Sequence, residues 1–114
     1  MTRVLNIIIA AALWTAAGTA QAIDRGDPTR GGELADAQCM ECHSADAVER
    51  NPEWPRLKGQ HAEYLLHSLR QYKSGHREDP VMSGQVADLS LQDKRDLASW
   101  FSRQEGELYT PRRP

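Results

Sequence analysis

Cysteine is scarce in this chain, with two residues among 114. A closed zinc site wants more protein ligands than two thiols supply. The β-branched residues are equally sparse beyond residue 22, where Ile23, Thr29, Val48, Val81, Val86 and Thr110 are all there are. Strands are enriched in such residues, so their shortage argues against a sheet and for an all-α fold of helices and loops. No apolar run approaches the roughly 20 residues that cross a bilayer. An excess of one charge sign is also missing. The formal net charge is −2, and because residues 1–22 carry only Arg3, residues 23–114 carry −3. That balance gives no electrostatic reason to expect nucleic acid as a partner. No internal repeat is present.

The N-terminus reads as an export signal. Thr2-Arg3 gives a positive start, Val4 to Ala17 is mostly apolar with breaks at Asn6 and Thr15, and Ala20-Gln21-Ala22 is a small-x-small cleavage pattern. Cleavage after Ala22 is expected to leave residues 23–114 as one small domain with no stable membrane insertion; an uncleaved anchor is the competing reading.

The most informative stretch is Cys39-Met40-Glu41-Cys42-His43. This is C-x-x-C-H, the attachment pattern of a c-type haem. Two thiols at this spacing can each form a thioether to a vinyl group of one porphyrin. The histidine that follows then lies under the ring and can ligate the iron. Met40 and Glu41 span the gap and need no special chemistry. Two other readings compete, a redox dithiol of thioredoxin type and half of a zinc site. The first needs a sheet. The second lacks ligands, and His43 follows Cys42 too closely to close a tetrahedral site. One covalent haem would also give a short chain the apolar centre that its own residues barely supply.

Three helices are expected around this motif. Asp27-Pro28 places an acid at an N-cap and proline at the first helical position, opening a helix to about Cys39 with Leu34 and Ala35 inward. Gly31 and Gly32 lie inside it, each costing about 1 kcal/mol relative to alanine, which is reasonable where another element crosses closely. Residues 44–60, with Pro52, Pro55 and Gly59, read as a loop. From His61 to Ser74 the residues Ala62, Leu65, Leu66, Leu69 and Tyr72 recur at helical spacing, with Gly75 as the stop, and this stripe reads as ordinary core. Residues 76–89 read as irregular and contain Met82, the only methionine apart from Met1 and Met40. A gap-filling core residue is its plain reading. Ser90-Leu91-Gln92-Asp93 resembles a capping box, opening a helix with Leu97, Ala98, Trp100 and Phe101 on one face and an end near Gln104 or Gly106. The domain core is expected over about residues 26–104, with a frayed tail at 105–114.

Over roughly residues 26–104 the chain resembles class I cytochromes c, and most closely the bacterial periplasmic group whose two-haem members carry two such domains in tandem. Gly32, seven residues before Cys39, matches the family glycine where the first and last helices cross. Leu97 and Trp100 match the facing positions on the last helix. Pro55-x-Leu57-x-Gly59 matches the loop whose proline carbonyl accepts the proton of the ligating histidine. Gly59-Gln60-His61-Ala62-Glu63-Tyr64-Leu65-Leu66 is close to the group's helix start. Asp79-Pro80-Val81-Met82 matches the segment that supplies the sixth ligand. One haem motif is present where a tandem member has two. Trp54 has no assigned counterpart and is read either as packing on the haem edge, as pairing with a propionate, or as loop core.

The resemblance implies thioethers at Cys39 and Cys42, axial ligands His43 and Met82, and Pro55 behind His43. It implies a periplasmic electron carrier with one covalent haem c, not an enzyme, and no catalytic residues. A haem subunit of a larger dehydrogenase or reductase is the alternative. A ligand-binding haem with an open distal side is a third reading, and His61, His67 and His76 offer a rival bis-histidine iron. Charge bears on the partners. Residues 23–53 hold eight acids and three bases, residues 54–77 hold five bases against Glu63, and residues 78–114 hold seven acids and five bases. The basic stretch is a candidate docking face for an acidic redox partner, and a solvated face without one is the plain alternative.

Overall fold

Two aspartate–proline pairs, Asp27-Pro28 and Asp79-Pro80, each open a helix in the computed structural model, which describes residues 25–106 and residue 108. Proline at the first helical position has no N–H to lose, and its φ is already helical. The aspartate takes the cap. Asp27 Oδ1 accepts from the backbone N–H of Thr29 at 2.9 Å and of Arg30 at 3.4 Å. Asp79 Oδ1 accepts from Val81 at 2.9 Å and Met82 at 2.8 Å.

Among the described residues there are six helices and no strand: α1 Pro28–Gln38, α2 Met40–His43, α3 Ala45–Arg50, α4 Ala62–Ser74, α5 Pro80–Gln85 and α6 Leu91–Arg103. The all-α expectation holds, as do the bounds of the three long helices to within a residue or two. α4 stops at Gly75, whose φ of 80° is left-handed and unfavourable for other residues. At the start of α6 the capping box is complete: Ser90 Oγ accepts from Asp93 N–H at 3.0 Å, and Asp93 Oδ2 accepts from Ser90 N–H at 2.8 Å.

Two expected loops contain short helices instead. α3 lies inside residues 44–60, where Ser44 Oγ accepts from Ala47 N–H at 3.2 Å and the turn buries Ala47 and Val48. α5 lies inside residues 76–89, started by the Asp79 cap. The expected export signal at residues 1–22 and most of the tail lie outside the described residues. No described helix is long and apolar enough to cross a membrane.

The centre of the fold is the crossing of α1 and α6. At Gly31 a Cβ would sit 2.0 Å from the Asp96 carbonyl oxygen, so only glycine permits the approach. Gly32 lies against the Trp100 indole, with a Cβ 2.8 Å from Nε1; the tighter backbone contact is therefore at Gly31. Asp96 is 1% exposed at this crossing and would be costly there without donors. It has three: the Asp27 backbone N–H at 2.7 Å, Arg30 Nη1 at 2.5 Å and Gln92 Nε2 at 2.7 Å. Arg30 Nη2 also bonds Asp93 at 2.5 Å. Below this crossing, Ala35, Leu65, Val86, Leu89, Leu97, Ala98 and Phe101 form the buried cluster. Full burial of a side chain the size of Leu97 or Phe101 is worth about 1.5–3 kcal/mol. Phe101 meets Trp100 edge to face, with centroids 4.8 Å apart.

Candidate haem site

Cys39 both ends α1 and starts α2. Its backbone N–H donates to Ala35 O at 2.8 Å, and its own carbonyl accepts from Cys42 N–H at 3.2 Å and His43 N–H at 2.9 Å. The motif is thus wound as one helical turn. Residues three apart share a face of such a turn, which puts both thiols on one side. Both cysteines are free and half-buried. Burial pushes the Cys39 thiol up to about 11. A redox dithiol works through a depressed thiol, so this shift runs against the thioredoxin-type reading.

Cys39, Cys42 and His43 line a cavity of about 480 Å³. That lies within the roughly 300–1,000 Å³ typical of cofactor and ligand sites. Leu65, Leu69 and Tyr72 of α4 and Leu97, Ala98 and Phe101 of α6 supply apolar wall, and Met82 of α5 supplies a thioether. The α4 stripe therefore has two jobs. Only Leu65 of it is buried, because the same face that packs on α6 also borders the cavity.

His43 is 8% exposed, and its Nδ1–H donates to the Pro55 carbonyl at 2.9 Å. A carbonyl can only accept, so the proton sits on Nδ1 and Nε2 keeps its lone pair. The loop carrying Pro55 is tied to the scaffold by Gly59 N–H, which donates to Phe101 O at 3.0 Å. The other candidate donors lie elsewhere. His61, His67 and His76 are exposed, and none of them lines the cavity. Neither Met40 nor Trp54 lines it; Trp54 is half-buried in the turn after α3, its N–H on Asn51 O at 3.0 Å. Sequence reasoning counted Arg56 and Arg77 in the basic stretch but did not single out Tyr64 and Val81 as the cavity rim. Tyr64, Val81, Arg56 and Arg77 all border the cavity, with Arg77 stacked 4.7 Å over the Tyr72 ring and donating to Ser68 Oγ at 3.3 Å.

Two thiols on one side of a turn, an imidazole with its outer nitrogen free for a metal, a thioether and apolar walls fit a covalently attached haem. The cytochrome c family model matches residues 28–102. The chain belongs to the cytochrome c family. It is similar to cytochrome c4 of Pseudomonas aeruginosa, with 36% identity over 101 residues that make up 89% of this chain and 50% of the relative. Cytochrome c4 of Stutzerimonas stutzeri is 33% identical over 113 residues, 91% of this chain and 53% of the relative. Cytochrome c-554(548) of Halomonas halodenitrificans is 35% identical over 77 residues, 65% of this chain and 93% of the relative. The chain thus spans about half the length of the cytochrome c4 relatives it matches and resembles one domain of a tandem cytochrome. With the family come covalently attached haem c and a class I all-α fold serving electron transport.

Proposed function

We propose that this family member is a periplasmic carrier of single electrons, with Cys39 and Cys42 holding the haem by thioethers and His43 and Met82 as the axial iron ligands. The haem, when bound, supplies a one-electron couple between ferric and ferrous iron. The observation that carries the ligand assignment is the lining of the cavity. Once the two cysteines are engaged, His43 and Met82 are the imidazole and the thioether among the described residues that border it. Pro55 fixes the His43 tautomer and raises its basicity through Nδ1. A thioether opposite an imidazole favours the reduced state relative to two nitrogen ligands. Were His43 and Met82 both to hold the iron, no position would be left for a substrate, which suits a carrier rather than a catalyst.

The test is Met82→Ala in protein matured with its haem. The haem stays attached, the reduction potential falls, and the reduced protein binds carbon monoxide readily. Wild-type spectrum and potential in that variant, together with loss of both on replacing His61, His67 or His76, would make the iron bis-histidine.

Partners dock at the cavity rim in this reading. Tyr64 and Val81, 53% and 57% exposed, give it apolar contact, and Arg56 and Arg77 of the basic stretch give it positive charge. The partner is therefore an acidic redox protein bound weakly and briefly. Exposed charges are screened over about 8–10 Å at physiological ionic strength, so the bimolecular electron-transfer rate falls as salt is added. A rate indifferent to salt would reduce the basic stretch to a solvated face.

A further inference from the structure

α5 carries Met82 yet buries none of its own residues. Met82 packs against the buried cluster, and further hold on the helix comes from its two ends. The N-terminal end has the Asp79 cap. The C-terminal end runs into the turn at residues 86–89, whose Val86 and Leu89 side chains are buried at 1% and 8% exposure. Val86 N–H donates to the Met82 carbonyl at 3.1 Å, and Leu89 N–H donates to Val86 O at 3.2 Å.

Two lysines close on this turn, one from α4 and one from α6. Lys94 of α6 is 4% exposed, and its Nζ donates to the Leu89 carbonyl at 2.8 Å. Lys73 of α4 donates to the same carbonyl at 3.2 Å and also to the carbonyl of Ala87. Neither lysine is in an ion pair among the described residues. Burial, with the neighbouring positive charge of Lys73 and Arg70, outweighs the nearby Asp93 carboxylate and pulls the Lys94 ammonium below its usual range. A buried ammonium beside a second cation is an expensive way to fill space, since an apolar side chain of similar volume would fill it without the desolvation cost. What the two ammoniums provide, and an apolar residue would not, is a hold on the carbonyls of the turn that follows Met82.

We propose that Lys73 and Lys94 are positioning residues that clamp the 86–89 turn to α4 and α6 and thereby keep Met82 at the cavity. The inference rests on Met82 being the sixth ligand. It predicts that breaking the clamp frees the Met82 segment while leaving the attachment at Cys39 and Cys42 untouched. Breaking it also removes a positive charge, which alone lowers a reduction potential, so the test needs a readout that charge does not move.

The experiment compares haem-loaded Lys73→Met, Lys94→Met, Arg70→Met and Met82→Ala proteins for carbon monoxide association in the reduced state and for potential. Arg70 contributes charge near Lys94 from the same helix as Lys73, so its variant measures charge without the clamp. The clamp variants should bind carbon monoxide about ten- to hundredfold faster than wild type, the range for loss of one charge-assisted hydrogen bond. Their potentials should fall further than that of Arg70→Met, and Lys73→Arg should restore both properties. Carbon monoxide association at the wild-type rate in both lysine variants, beside rapid association in Met82→Ala, overturns the clamp. Wild-type association in Met82→Ala itself overturns the ligation reading, and the clamp with it. Lys73 is exposed, so its variant stays informative even if Lys94→Met fails to fold.

Discussion

The α1–α6 crossing and the α5 segment are assembled by different physics. At the crossing, two helices meet backbone to backbone at Gly31, and a buried carboxylate collects donors from α6, from the cap of α1 and from Arg30. α5 has no fully buried residue; it packs on the buried cluster through Met82 and is held by hydrogen bonds at its ends. The first region has almost no freedom to move without loss of the fold. The second can shift at small cost to stability but at direct cost to whatever Met82 does. Stability and the tuning of the site are therefore separable by mutation, and the separation can be tested with a pair of glycines.

The largest effect is expected at Gly31→Ala. Its new methyl would meet the Asp96 carbonyl at 2.0 Å, and a helix backbone cannot step aside as a side-chain tip can. We expect a loss of about 3 kcal/mol or more, at the upper end of overpacking costs, in denaturant unfolding of the holoprotein. A mild variant there would show that the two helices are free to part.

Asp96→Asn should come next, at about 1.5–3 kcal/mol near neutral pH, through weaker bonds from Arg30 and the Asp27 N–H. Its pH dependence is the sharper signature. Burial would raise the Asp96 carboxyl, but donation from Asp27, Gln92 and Arg30 outweighs burial and holds it below the usual carboxylate range. A carboxyl depressed in the folded state stabilises the fold above its unfolded value of about 3.9, and that contribution drains away as the pH falls through the folded value. The variant should therefore be less stable at pH 7 and lose less on acidification than wild type. Asp93 is depressed as well, chiefly by its bonds with Ser90, so part of the acid sensitivity persists. Parallel acid curves for variant and wild type would remove Asp96 from the account.

Gly84→Ala should have the smallest effect and the opposite sign. Nothing lies within 4 Å of a Cβ there, and alanine in a helix is favoured over glycine by about 0.5–1 kcal/mol. Stiffening α5 in this way should also slow carbon monoxide binding. A destabilised Gly84→Ala would mean that α5 is packed more tightly than its exposure shows.

Much of this could be read from the sequence, and what could not has identifiable causes. The three long helices announced themselves through Asp27-Pro28, the Ser90 box and the α4 stripe, all strong local signals. α5 begins with the same aspartate–proline pair as α1, yet six residues are too few to display a helical period. α3 was hidden by Pro52 and Pro55. The motif at residues 39–43 was legible because its chemistry lies in spacing alone. The walls of the cavity were not. Period 3.6 says which face of α4 is apolar but cannot say whether a helix or a cofactor covers it. Lys94 gave no signal at all, since a lysine on an amphipathic helix reads as a solvated position until the fold closes over it.

The bond from the Asp27 backbone to Asp96 joins positions 69 residues apart. A domain fastened between its first helix and its last cannot close while it is being made. Until α6 arrives, α1 has no partner for Gly31, and contacts of such long sequence separation are the slow ones to form. The order of events is then set by topology. Residues 39–43 emerge early, and the crossing that fixes the fold becomes possible only about fifty residues later. The architecture holds open an interval in which covalent attachment can precede folding.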